Sequence, residues 1–356
     1  MPKISLLTPC FNHEKYIIKF LESVKSQTFS DFEVVIVDDC STDNTIKIIQ
    51  NFGDNRIKLI KHEYNKGLNA AINTAFENST SPLCVYFSSD DVLKPDTLEY
   101  IVNEFENNPD KNVLYCSLSA IDEDGKDLHK PLKPKLKDRF EILRKIFYSL
   151  NPLLSPTMTF RRKVYEKIHP LSPSIVNHQD SLMHIQLLLN NEIMVVDKEL
   201  AYYRMPNKNS GLSIRSITTE NRENLEINEL LNYFLQINNP EMLYKIFGND
   251  IEKYGKPINE TISYFLARLA LDSDNKTRKI WGYNTMIKFL SVQENFDLVQ
   301  TLYGFNFKEF LGLVNVFDET EEMKLNKKVK KYKKLFNTTL LISILILIML
   351  IFFIVK

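Results

Sequence analysis

Glycine is scarce in this chain, at 9 of 356 residues. No GxGxxG or GxxxxGK follows any apolar run. A dinucleotide fingerprint and a P-loop are therefore excluded, and a nucleotide has to be held by side chains and metal, not by a glycine cradle. Cysteine is also sparse. Cys10, Cys40, Cys84 and Cys116 form no CxxC pair and lie in or beside apolar runs, so they read as small core residues in a reducing compartment, with neither a disulfide framework nor a zinc site. Net charge is missing too, because 45 Lys and Arg balance 45 Asp and Glu. That balance conceals a split. Lys324, Lys327, Lys328, Lys330, Lys331, Lys333 and Lys334 cluster without an acid, and residues 1–323 are left at a formal charge of about −8, which disfavours a nucleic-acid-binding body. The opening MPKISLLTP reaches a strand pattern at once and lacks the basic and long apolar parts of a signal peptide.

Only one long apolar run exists, at the other end. Residues Leu335 to Val355, LFNTTLLISILILIMLIFFIV, carry no charge, and at 1.5 Å per residue they are long enough for a hydrocarbon core of about 30 Å. A transmembrane helix over 335–355 is expected, behind a lysine-rich juxtamembrane segment, 324–334. By the positive-inside rule the body before it is expected at the cytoplasmic face of the inner (plasma) membrane, in contact with membrane lipids.

Over the first 120 or so residues, short β-branched runs alternate with segments of helical period. KISLLTP precedes EKYIIKFLESVKSQ, FEVVIVDD precedes NTIKIIQNF, RIKLIKH precedes NAAINTAFENS, and CVYFSSDD precedes TLEYIVNEFEN. Repeated βα units predict an α/β fold with a mainly parallel sheet and flanking helices. SPTMTFRRKVYEKI predicts a strand entering a helix, SLMHIQLLLN a helix and IMVVDKELAYYR a strand. Beyond Ser210 the pattern turns helical. The expected organisation is an α/β domain over 1–213, a helical region over 214–323, and then the two terminal segments.

Two apolar runs end on paired acids: VVIVDD on Asp38 and Asp39, and CVYFSSDD on Asp90 and Asp91. In a parallel sheet, ligands bind beyond the carboxyl ends of the strands, so both pairs are expected on one rim. Helix capping accounts for the STD at Ser41 to Asp43 but leaves Asp38 and Asp39 unexplained.

LLTPCFNHEKYIIKFLESVKSQTFSDFEVVIVDDCSTDNT, followed by NKGLNAAIN, FSSDDVLKP, HQDSLMHIQL and YYRMPNKNS, resembles the family 2 glycosyltransferases. The resemblance covers roughly residues 3–210, in order, and is specific for the family but silent on the substrate. It implies the GT-A fold, a Rossmann-like arrangement, and sugar transfer from a nucleotide-diphosphate donor to a glycan or lipid-linked acceptor in cell-surface polysaccharide or glycoconjugate synthesis. It also implies Mg²⁺ or Mn²⁺ held by Asp90 with Asp91 in support. Thr8, Pro9, Asn12, Asp39, Asn65, Gly67, Asn73, Asp90 and Arg204 stand on the donor side, with Asp39 as base-recognising carboxylate and Arg204 in a closing element with Tyr203 and Ser210. Asp180 is the implied general base.

The sequence departs from the family pattern at three places. Ser88 stands where the first acid of a DxD-type element is usual, Ile72 where many relatives carry a basic residue, and Gln179 where Glu is usual. Phe11 reads as packing, Arg161 and Arg162 as surface or acceptor-side groups, Trp281 as core. The six histidines read as ordinary surface or packing residues. A non-catalytic sugar-nucleotide-binding scaffold is the alternative reading. A nucleotidyltransferase would require a glycine-rich basic N-terminal loop, which is lacking.

Overall fold

A computed structural model describes residues 1–149, 151–205, 216–317, 325, 328–336, 338 and 339. The chain divides into two compact units, residues 1–266 and 267–356.

The first unit is built on a nine-stranded sheet. Its strands are β1 (Ile4–Cys10), β2 (Phe32–Asp38), β3 (Ile57–Lys61), β4 (Leu83–Tyr86), β5 (Val92–Leu93), β6 (Val113–Ile121), β7 (Asp127–Leu132), β8 (Thr159–Arg161) and β9 (Ile193–Arg204). Helices α1 (Ile17–Lys25), α2 (Thr45–Phe52), α3 (Leu68–Glu77), α4 (Thr97–Asn107), α5 (Arg139–Tyr148), α6 (Arg162–Tyr165) and α7 (Gln179–Asn190) connect them. Beyond β9 the described residues are helical: α8 (Ile217–Phe234), α9 (Pro240–Phe247), α10 (Ile262–Leu271), α11 (Lys276–Leu290), α12 (Gln293–Tyr303) and α13 (Phe307–Gly312), with short 3₁₀ turns.

The β-branched run of β2 is continuous because both of its faces are covered. Val34, Val35, Ile36 and Val37 are all fully buried. On α1, Ile17, Phe20, Leu21 and Val24 recur at helical spacing and form its buried face, each worth roughly 1.5–3 kcal/mol of burial. Trp281 is buried, as expected.

Strand order is β3-β2-β1-β4-β8-β6-β9-β5, with β7 paired to β6. β1, β2, β3 and β4 run parallel, as do β6 and β9, whereas β4–β8, β6–β8, β5–β9 and β6–β7 are antiparallel. The sheet is therefore mixed, not mainly parallel as expected. β5 carries too few residues to show a period of two, and β8, the strand expected in SPTMTFRRKVYEKI ahead of α6, wedges itself antiparallel between β4 and β6.

Strand order reverses direction at β1, which has β2 on one side and β4 on the other. A crevice is expected beyond the carboxyl ends at such a switch. The loops after β1, β2 and β4 converge there: Asp39 N–H donates to the Cys10 carbonyl at 2.8 Å and Phe87 N–H to the Leu7 carbonyl at 3.1 Å.

The expected span over 335–355 lies outside the described residues except for Leu335, Phe336, Thr338 and Thr339, and Ser210 lies outside them as well. Among the described residues no helix is long and apolar enough to cross a membrane.

Candidate active site

Asp39, the first residue beyond β2, is buried and heavily engaged. His62 Nδ1 lies 2.6 Å from its Oδ1, the Lys66 N–H donates to Oδ1 at 2.8 Å, and the Gly67 N–H donates to Oδ2 at 2.8 Å. A carboxylate has about four lone-pair sites. Three are taken, which leaves one on Oδ2. The far nitrogen of His62 meets Thr74 Oγ1 at 3.0 Å, so the ring is fixed from both sides. Gly67 has φ of 88°, a left-handed value that favours glycine, and this lets the 65–67 turn aim its N–H groups at Asp39. Asn65 Oδ1 shares the Gly67 N–H at 3.2 Å and so belongs to the same turn.

Other expected donor residues take different places. Asn73 lies on the buried face of α3, and its amide exchanges hydrogen bonds of 2.8 and 2.9 Å with the Leu171 backbone, so it holds that loop instead of a donor. Thr8 and Pro9 are sealed inside β1. The Thr8 hydroxyl has no hydrogen-bond partner among the described residues, and the Pro9 carbonyl accepts from Ser89 Oγ at 3.2 Å. These two shape the rim without lining it. Asn12, with φ of 53°, stitches the β1 and β2 loops together: its N–H donates to Ser41 Oγ at 2.8 Å and its Oδ1 accepts from the Thr42 N–H at 2.8 Å. Phe11 is 42% exposed beside it and does not pack.

At the end of β4 the two acids separate. Asp90 is half-buried, and Ser88 Oγ donates to its Oδ1, so the serine at the missing acid position serves as a partner of the remaining one. Asp91 is buried and accepts the Arg204 N–H at 2.8 Å; burial first, and then the charge of Asp90, push its carboxyl well above the ordinary range. Asp91 is thus turned inward onto the backbone of Arg204, while Asp90 is the more exposed of the two acids.

Arg204 was expected to face a diphosphate. Its guanidinium is instead spread over the carbonyls of Asp90 (2.8 Å), Asp122 (2.9 Å) and Glu123 (2.8 Å) and lies 4.6 Å from the centre of the Tyr16 ring. It locks the turn that presents Asp90. Arg161 and Arg162 are likewise anchors and not surface groups, donating to the carbonyls of Lys111 and Ser81 at 2.8 and 2.7 Å.

Asp180 opens α7 and is half-buried. Desolvation raises its carboxyl pKa, with Ser155 opposing the shift. The acids converge. Tyr86 and Tyr203 are both made harder to ionise, by burial first and then by Asp180, Asp90 and Asp91 together; for Tyr203 the result is about 12. Next to Ser155, Thr157 holds φ of 65°, an outlier for a β-branched residue, fixed by its N–H on the Tyr86 carbonyl at 3.0 Å.

Among the described residues no group of three or more His, Cys, Asp and Glu encloses a metal site. The half-buried Asp90 carboxylate fits a hard cation, Mg²⁺ or Mn²⁺, that draws most of its ligands from diphosphate oxygens and water. His13 stands next to this group, its Nδ1 at 2.7 Å from Ser89 Oγ.

His13 and His62 were missed by reading the histidines as ordinary. A signal existed for His62, which directly follows the last residue of β3, the same placement that marks Asp39 after β2. His184 does fit the packing reading, being fully buried with its ring edge-on to Tyr115 at 5.2 Å.

Residues 5–169 match the model for "Glycosyl transferase family 2". An uncharacterized glycosyltransferase of Nostoc sp. is 28% identical over 307 residues, which is 82% of this chain and 91% of that protein. Another, from Methanocaldococcus jannaschii, is 30% identical over 217 residues, 60% of this chain and 74% of that one. The crystal structure of S. aureus TarS 1-349 shares the fold at a TM-score of 0.57, with 22% identity over 84% of this chain and 90% of that one. TarS has also been solved in complex with UDP and with UDP-GlcNAc.

Proposed function

The chain belongs to glycosyltransferase family 2, and from that premise we propose that it moves a sugar, with inversion, from a uridine-diphosphate sugar to a hydroxyl of a glycan or lipid-linked acceptor at the cytoplasmic face of a membrane. Family membership, together with the half-buried carboxylates of Asp90 beyond the end of β4 and of Asp180 in the first turn of α7, carries this reading. The first is suited to a diphosphate-bound cation and the second to proton transfer.

Asp180 takes the proton of the acceptor hydroxyl as that oxygen bonds to the anomeric carbon from the face opposite the diphosphate. The bond from this carbon to the diphosphate oxygen breaks, and its electron pair leaves with UDP. A divalent cation bound at Asp90 would supply positive charge for the departing diphosphate. The raised pKa of Asp180 makes it a stronger base than an exposed aspartate.

Asp39 supports the choice of uridine. Its single remaining lone pair suits one imide N–H, as uracil and thymine present, whereas guanine presents two adjacent donors and cytosine an acceptor. TarS, whose structures include UDP and UDP-GlcNAc complexes, points to the same donor class. The uncharged run over 335–355 and the lysines before it support the membrane placement.

The test is nucleoside diphosphate release by the purified full chain in detergent. UDP-, GDP-, CDP- and dTDP-sugars are supplied with Mn²⁺ or Mg²⁺, membrane extract as acceptor source, and a chelator control. Release from a UDP-sugar that the chelator stops is the expected result. Release from a GDP-sugar alone would overturn the base assignment, and tight UDP binding without turnover would favour the scaffold reading.

A further inference from the structure

Glu226 lies in α8, outside the residues matched by the family model and outside every motif named above. Its carboxylate is buried, with the residue 6% exposed. Oε1 accepts the Val176 N–H at 3.0 Å, and Oε2 accepts the N–H groups of Asn177 and His178, both at 2.8 Å. Arg222, one turn earlier on α8, donates from Nη1 to Asn177 Oδ1 at 3.2 Å.

These three N–H groups belong to the residues that lead into α7, and Asp180 is the second residue of that helix. His178, at the N-cap of α7, makes no side-chain cap of its own. The segment just ahead of the helix is instead held by a side chain from another helix. Bonds from backbone N–H groups to a carboxylate are of the charge-assisted, stronger class, and removing the carboxylate leaves buried donors unpaired. An apolar residue would be enough to fill the space between α7 and α8. A buried charge spent on three successive N–H groups fixes where the segment lies.

A general base has to stand within roughly 2.6–3.2 Å of the proton it takes, and a misplacement of about 1 Å can cost on the order of 10²-fold. On the reading of Asp180 as base, we propose that Glu226 is a positioning residue: it clamps residues 176–178 so that the first turn of α7 presents Asp180 to the acceptor hydroxyl. This gives α8, which follows the catalytic motifs, a part in the reaction.

The test compares Glu226→Gln and Glu226→Asp with the parent chain and Asp180→Asn, all full length in detergent. UDP-GlcNAc is the donor probe, and membrane extract supplies the acceptor. Glu226→Gln keeps the shape but turns an amide NH₂ toward N–H donors. It is expected to lower kcat about 10- to 100-fold while the Kd for UDP stays within about twofold, and Glu226→Asp is expected to recover part of the loss. Backbone amide exchange at Val176, Asn177 and His178 is expected to quicken in Glu226→Gln.

Unchanged exchange overturns the clamp. Faster exchange at unchanged kcat overturns the positioning role, as does a fall in kcat matched by equal loss of UDP binding and of folded protein, which marks a merely structural residue. Turnover surviving Asp180→Asn overturns the base reading and the positioning role with it. An inactive Asp180→Asn beside a fully active Glu226→Gln overturns the positioning role alone.

Discussion

Asp39, Asp90, Asp91 and Asp180 are the same side chain in four settings, and the settings assign their chemistry. Asp39 accepts three hydrogen bonds, Asp90 keeps a half-buried carboxylate, and Asp91 is pushed toward neutrality by burial. Asp180 has a raised pKa and must be ionised to accept a proton, so kcat is expected to rise with pH through a midpoint above the ordinary aspartate value. Asp180→Asn is expected to lower kcat about 10²- to 10⁴-fold while UDP binding persists. A pH–rate profile and UDP titration check both. A wild-type midpoint at or below the ordinary aspartate value, or normal turnover in the variant, would sink the base assignment. Asp39, Asp90 and Asp180 were legible in the sequence because strand ends and family motifs mark them. The occupancy of Asn73 and Arg204 was not, because their partners are backbone groups of distant loops, which no residue pattern encodes.

Among the elements, α7 shows how packing sets the site. Arg139 Nη1 donates to the carbonyls of Leu188 and Leu189 near its C-terminal end, and Glu226 holds the segment before its first turn. His184, one turn beyond Asp180, is fully buried, and desolvation lowers its pKa from 6.5 to about 3. Between those values the unfolded chain binds a proton that the folded chain does not, so this residue costs stability as pH falls from about 6.5 toward 3, by at most about 1.4 kcal/mol per pH unit. His184→Leu lacks that proton, and urea unfolding at pH 7 and pH 5 should show a smaller loss on acidification for the variant than for the parent. Equal losses would mean that His184 does not titrate in this way. The helices and long strands were legible because apolar residues repeat over several turns or fill whole strands. β5 and β7 were not, since two residues hold no period and an exposed hairpin strand carries little apolar signal, whereas β8 was legible as a strand but its antiparallel insertion between β4 and β6 was not. Those short strands make the sheet mixed.

For the whole molecule, the sequence sets a neutral total against a body of about −8 and a terminal segment of seven lysines before an uncharged run. An anionic lipid surface would repel such a body and attract such a tail, the tail gaining roughly 1 kcal/mol for each lysine near the surface. The residues proposed for catalysis all lie in the unit formed by residues 1–266, so the proposed chemistry and the proposed attachment are separable by position in the chain. A chain ending at residue 323 is therefore expected to partition into the soluble fraction and to turn over a UDP-sugar with a kcat near that of the full chain on a soluble acceptor. On acceptors embedded in anionic vesicles, only the full chain gains from being held at the surface. The check is sedimentation with vesicles followed by UDP release in both formats. If the shortened chain still sediments with vesicles, attachment resides elsewhere in the molecule. If it loses turnover on the soluble acceptor as well, the terminal segment contributes to the catalytic body itself and the separation fails.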